Sequence, residues 1–154
     1  MSPMNTDRIE EKILLRIPRA RVWRALTDAE EFGAWFGVKL AGEFAPGASV
    51  KGTITEKGYE GLPFEIVVER MEPPRLFSWR WHPYAVDPGV DYTAEPRTLV
   101  VCELKEVSGG TALTLVESGF HGVEVGRREK AYRMHQQGWA AQMKSIERYL
   151  ARAA

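Results

Sequence analysis

Two side chains in this 154-residue chain stand where chemistry could be done: Glu117 and His135. Glu117 closes the stretch "TALTLVES" and shares strand parity with Leu113 and Leu115, so if those leucines face a core the carboxylate faces inward with them. A buried acid needs a partner. Arg127 and Arg128, or the free amides at the start of the helix that follows, are the candidates to supply it. Two roles stay open for Glu117: an ion pair or cap that fixes the loop "SGFHGVEVG", or an acid acting on a ligand. His135 falls with Tyr132, Gln136 and Trp139 on a stripe that continues through Met143, Ile146 and Leu150 at about 100° per residue. His135 and Gln136 bring polar groups onto that otherwise apolar face, where they either hydrogen-bond the polar end of a ligand or cover a sheet edge. In an enzyme built on these residues, Glu117 or His135 acts as general base.

Other chemistries have no residues to carry them. His82, His121 and His135 have no neighbour at metal-ligand spacing, and Cys102 has no CxxC partner, so no metal is expected. Glycine-rich phosphate loops, a GxSxG elbow and paired-histidine helix motifs are missing, and no cofactor is expected. Lys plus Arg balance Asp plus Glu at 21 each, and Glu124 and Glu129 dilute the basic run "GRREK", so nucleic acid is not an expected partner. A lone cysteine inside an apolar run fits a reducing compartment. With a polar start and no run of about 20 apolar residues, the expectation is a cytoplasmic protein with no integral membrane segment.

The elements that must position Glu117 and His135 are legible from pattern. Residues 9–17, "IEEKILLRI", read as a strand that ends at Pro18, a residue suited to a helix start. Val22, Ala25 and Leu26 then recur at helical spacing, and a second short helix capped by Thr27 or Asp28 brings Phe32, Trp35 and Phe36 together. Residues 38–44 and 48–57 read as a hairpin across "APGA". Phe64, Ile66 and Val68 share one side of the next strand, and Phe77, Trp79 and Trp81 share one side of "RLFSWRWH". The run "PYAVDPGVDYTAEP" at 83–96 holds too many breakers for an element and is a long connection, expected beside a cavity mouth. "RTLVVCELKEV" and "TALTLVES" form a hairpin closed by "SGG". From about 127 to 152 there is no proline and one glycine, and the apolar spacing predicts one long amphipathic helix.

This order is an α+β domain, residues 1–154, with a mostly antiparallel sheet covered by its last helix. A twisted sheet cannot touch a straight helix along its whole length, so a pocket is expected between them. Trp79 and Trp81 belong either to the core or to that pocket's wall.

Four words in order, "IPRARVWRALTDAEEFGAWF", "EIVVERMEPPRLFSWRW", "TLVVCELKEVSGGTALTLVESGF" and "GWAAQMKSIERYL", carry a resemblance that covers residues 7–150. The chain resembles the START-like (SRPBCC) superfamily, and within it the group related to the activator of the ninety-kilodalton heat-shock chaperone's ATPase. That resemblance implies a helix-grip fold, in which a curved antiparallel sheet wraps the long C-terminal helix around an internal cavity. It also implies that the two short helices plug one end of the sheet, so that Trp23, Leu26, Phe32, Trp35 and Phe36 close it, with Trp35 or Phe36 also able to line the cavity. The superfamily includes ligand carriers, polyketide cyclases and chaperone activators, and a shared fold does not choose among them.

The leading expectation is a binding protein for a small hydrophobic or aromatic molecule, held by Trp35, Phe36, Phe64, Ile66, Trp79, Trp81, Glu117, Tyr132, His135, Gln136, Trp139 and Met143. The alternatives are a cyclase- or aromatase-type enzyme and an interaction module that regulates a chaperone ATPase. A chaperone partner and a homodimer both stay open.

Overall fold

The computed structural model describes residues 7–83 and 89–153. Strand β1 (Arg8–Leu15) is followed by helices α1 (Arg19–Thr27) and α2 (Ala29–Phe36). Strands β2 (Val38–Ala41), β3 (Ser49–Ile54), β4 (Pro63–Glu72), β5 (Leu76–Trp81), β6 (Thr98–Val107) and β7 (Gly110–Ser118) come next. A short 3-10 helix (Phe120–Gly122) then leads into α3 (Val125–Ala153). The seven strands form one curved antiparallel sheet in the order β1-β7-β6-β5-β4-β3-β2. The protein is therefore an α+β fold with a helix-grip arrangement.

Strands β1 and β2 occupy opposite edges of the sheet, so α1 and α2 must carry the chain across its whole width. Pro18 supplies a preset φ of −58° at the head of α1. Asp28 then separates the two helices: its extended backbone ends α1, and its carboxylate accepts from the Glu31 amide at 3.0 Å to cap α2. Gly33 fixes α2 against β2, because a Cβ there would lie 2.4 Å from the Val38 carbonyl oxygen. Trp35 locks the plug by donating its indole N–H to the Ala25 carbonyl at 2.8 Å.

The interior face of the sheet is set by alternation. Phe64, Ile66 and Val68 point inward from β4, and Thr111, Leu113, Leu115 and Glu117 point inward from β7. Helix α3 runs 29 residues, about 43 Å at 1.5 Å per residue, and packs on β1, α1 and α2. Its Ala131, Trp139, Met143, Ile146 and Leu150 are buried at helical spacing. The helix begins two residues before the expected 127, and β1 ends at Leu15, two residues short of the expected 17.

Candidate functional site

Strand alternation drives the Glu117 carboxylate into the interior, where it is 0% exposed. Its Oε1 accepts from His135 Nδ1 at 2.7 Å and from the Trp139 indole N–H at 2.8 Å. Its Oε2 accepts from the Trp81 indole N–H at 2.7 Å and from the Thr98 hydroxyl at 2.6 Å. Burial pushes this carboxyl up, but the His135 charge and the donors from His135, Thr98 and Trp81 outweigh it and hold Glu117 below the usual glutamate value. One ionised carboxylate thus ties β5, β6, β7 and α3 together. Arg127 and Arg128, the partners expected from sequence, are engaged elsewhere. Arg127 pairs with Glu95 and donates to the Pro83 carbonyl at 2.9 Å, while Arg128 donates to the carbonyls of Val123 at 3.2 Å and His121 at 2.8 Å.

The rings that Glu117 holds form one surface. Trp81 stacks on Trp139 with centroids 5.7 Å apart and 26° between planes. The His135 ring stands edge-on to Trp81 at 5.4 Å and to Phe120 at 5.9 Å. Because an ionised carboxylate can only accept, the hydrogen of this bond sits on His135 Nδ1, and the bond fixes the tilt of the imidazole.

Trp81 and His135 line a cleft of about 590 Å³ between the sheet and the N-terminal half of α3. Phe36 and Phe64 extend the Trp81 wall: the Phe36–Phe64, Phe36–Trp81 and Phe64–Trp81 centroids lie 5.5, 5.9 and 5.9 Å apart. Ile54, Tyr59 and Leu62 add apolar surface from β3 and the turn after it, and Met134 and Gly138 face them from α3. Glu56, Glu65, His82, Thr93 and Gln137 bring polar groups to the same lining. A smaller lobe of about 140 Å³ continues toward Trp139 and Gln142.

The connection at 83–96, expected beside a cavity mouth from its length and its breakers, borders this cleft through Tyr92 and Thr93, with His82 just before it; residues 84–88 lie outside the described residues. Tyr92 also lies under the Arg127 guanidinium, 4.7 Å from ring centroid to Cζ, and His82 Nε2 sits 2.9 Å from the Glu95 carbonyl oxygen. The partly buried Arg127–Glu95 pair therefore fastens this connection to the start of α3.

Of the residues named from sequence, Phe36, Phe64, Trp81 and His135 line the main cleft and Trp139 reaches the smaller lobe. Glu117 stands behind them. Trp35 turns into the α1–α2 plug, and Ile66, Trp79 and Met143 lie in the core away from the cleft wall. Tyr132 sits at the helix start, its hydroxyl donating to the Arg8 carbonyl at 3.0 Å and its ring edge-on to Phe120. Gln136 is exposed, because one residue's rotation from His135 carries it off the inward stripe. Sequence reasoning missed Thr98, which shares β6 parity with Val100 and Cys102, and it missed Gly138, the single glycine interior to the predicted helix.

Chemically, the arrangement is an aromatic cleft with one oriented imidazole in its wall. Among the described residues, no group of three or more His, Cys, Asp or Glu side chains could hold a metal ion, and no helix is long and apolar enough to cross a membrane.

The fold recurs in solved structures. Protein MLL2253 from Mesorhizobium loti is 24% identical, with a TM-score of 0.75, over 96% of this chain and 98% of its own. A protein from Arthrobacter aurescens has a TM-score of 0.79 at 14% identity, over 99% of this chain and 90% of its own. DynU16, a protein of the dynemicin biosynthetic locus, is 26% identical with a TM-score of 0.71; the match takes in 94% of this chain but only 47% of DynU16. No curated protein sequence matches the chain. The sequence pattern of the family "Activator of Hsp90 ATPase homolog 1-like protein" matches residues 16–151, nearly the whole length. By that match and by its helix-grip architecture, the chain belongs to the Activator of Hsp90 ATPase homolog 1-like family of the START-like (SRPBCC) superfamily.

Proposed function

We propose that this protein binds a small, largely apolar aromatic molecule in the cleft between its sheet and α3, in the cytoplasm. The observation that carries the reading is the wall of three mutually touching rings, Phe36, Phe64 and Trp81, bordering about 590 Å³ of space beside an oriented imidazole. Such a wall supplies burial energy without direction, and one or two polar groups supply orientation. Burying about 200 Å² of apolar ligand at about 25 cal/mol per Å² is worth about 5 kcal/mol, which after the cost of association corresponds to micromolar affinity or weaker. N-phenyl-1-naphthylamine is a suitable neutral probe. It should bind the folded protein, and Trp81→Phe should change its affinity more than Trp23→Phe. Failure of the probe to bind would sink this reading and favour the interaction-module alternative, regulation of a chaperone ATPase, which the family's name raises.

A second reading has its own support. A histidine held by a buried carboxylate is an arrangement that moves protons, and DynU16 belongs to a biosynthetic locus. A cyclase- or aromatase-type enzyme would use His135 as its base, with Glu117 as a positioning residue that is too buried and too fully bonded to meet substrate itself. Turnover whose pH profile collapses in His135→Gln would establish it.

A further inference from the structure

We infer that Gly138 is the specificity-determining position of the cleft, and that the molecule it admits is a flat aromatic ring laid against the bare helix backbone; this rests on the ligand-binding reading above. Glycine inside a helix is costly, because it loses more backbone freedom on folding than any other residue. Gly138 sits near the middle of the 29-residue α3, so some other demand must explain it. Packing within the protein does not supply that demand: a Cβ built on Gly138 meets nothing within 4 Å. The contrast is Gly33, where a Cβ would run into the Val38 carbonyl and the protein itself requires the glycine.

The space left by the missing side chain belongs to the cleft. Gly138 lines both the main cleft and its smaller lobe, as do Phe36 and Trp81 on the opposite wall. The result is a slot with ring faces on one side and uncovered helix backbone on the other. A planar molecule touches both sides at once with no rotamers to freeze. A flexible chain gains the same burial only by losing internal freedom, and it gains nothing from the ring faces. His135 lies three residues before Gly138 and lines both spaces too, so an imidazole ring borders one edge of the slot.

The test compares 2-naphthol, flat with a hydroxyl, with 1-decanol, a chain with the same polar group, by backbone amide NMR titration of wild type, Gly138→Ala and Gly138→Leu. Naphthol should bind wild type with the Gly138 amide among those that shift. The Leu variant should weaken naphthol by at least about tenfold while weakening decanol less than about threefold, and the Ala variant should weaken naphthol by about two- to threefold. The Ala variant should melt no lower than wild type, since the helix gains propensity and the added Cβ meets nothing within 4 Å. Naphthol binding unchanged in Gly138→Leu, or in Gly138→Ala should the Leu variant melt early, overturns the role of Gly138 and leaves the ligand-binding reading standing. Equal losses for both probes overturn the flat-ring class. A wild type that binds neither probe removes the ligand-binding reading itself.

Discussion

Phe32 and Phe36 stack 4.9 Å apart with 15° between their planes, yet they belong to regions that do opposite things. Phe32 faces the closed end of the sheet, against Trp35, Phe44 and Trp79, where every ring is buried. Phe36 faces the open end, against Phe64, Trp81 and Trp139, where the same kind of ring contact borders empty space. The difference is what closes the cluster on its far side: the α1–α2 plug at one end, and at the other a stretch of helix carrying Met134, His135 and Gly138. Aromatic residues alone therefore do not make a pocket. A pocket forms where the element opposite them leaves the gap unfilled, as α3 does at Gly138.

Substitutions can break or sharpen this contrast. The largest effect should come from Trp79→Ala at the closed end, where loss of a 0% exposed indole costs about 3 to 5 kcal/mol of stability by denaturant unfolding. Tyr59→Ala, on the cleft rim, should cost less than about 1 kcal/mol, and similar losses for the two would erase the distinction between the ends.

Glu117→Gln comes next, at about 3 kcal/mol, because the amide turns its own N–H groups toward donors that lose their acceptor. Its pH dependence has a definite sign. Glu117 titrates below the usual 4.5 in the folded protein, so its contribution is complete above about pH 4.5 and is lost as pH falls through the lower folded value. Wild type should lose stability over that window more steeply than Glu117→Gln; parallel curves would mean the carboxylate is not ionised in the fold. The smallest effect should be Gly138→Ala, which raises stability by about 0.5 to 1 kcal/mol in chemical unfolding. A loss instead would mean the helix backbone there already has a partner.

Much of this was legible beforehand for physical reasons that are local. The inward face of β7, the stripe of α3 and a cap at Thr27 or Asp28, which the structure gives to Asp28, each follow from short-range periodicity or a single side chain's reach. The inward turn of Glu117 was legible for the same reason. Its partners were not: charge complementarity points to Arg127 and Arg128, whereas indole, imidazole and hydroxyl donors arriving from β5, β6 and α3 leave no mark at any fixed spacing. The roles of Trp79 and Trp81 could not be separated from sequence either, since they share a strand face and differ only in what lies across from them.

The edge position of β1 has a consequence in time as well as in space. Strands β2 to β6 each pair with a neighbour close by in the chain, but β1 pairs only with β7, Arg8 against Ser118 and Leu15 against Thr111. During synthesis the meander from β2 to β6 can assemble as it emerges, while β1, made before all of it, must wait, unpaired, for about a hundred residues until β7 follows. Four charges in the first five residues of "RIEEKILL" favour solubility of that waiting strand, and the ladder between β1 and β7 closes only after β7 has been made.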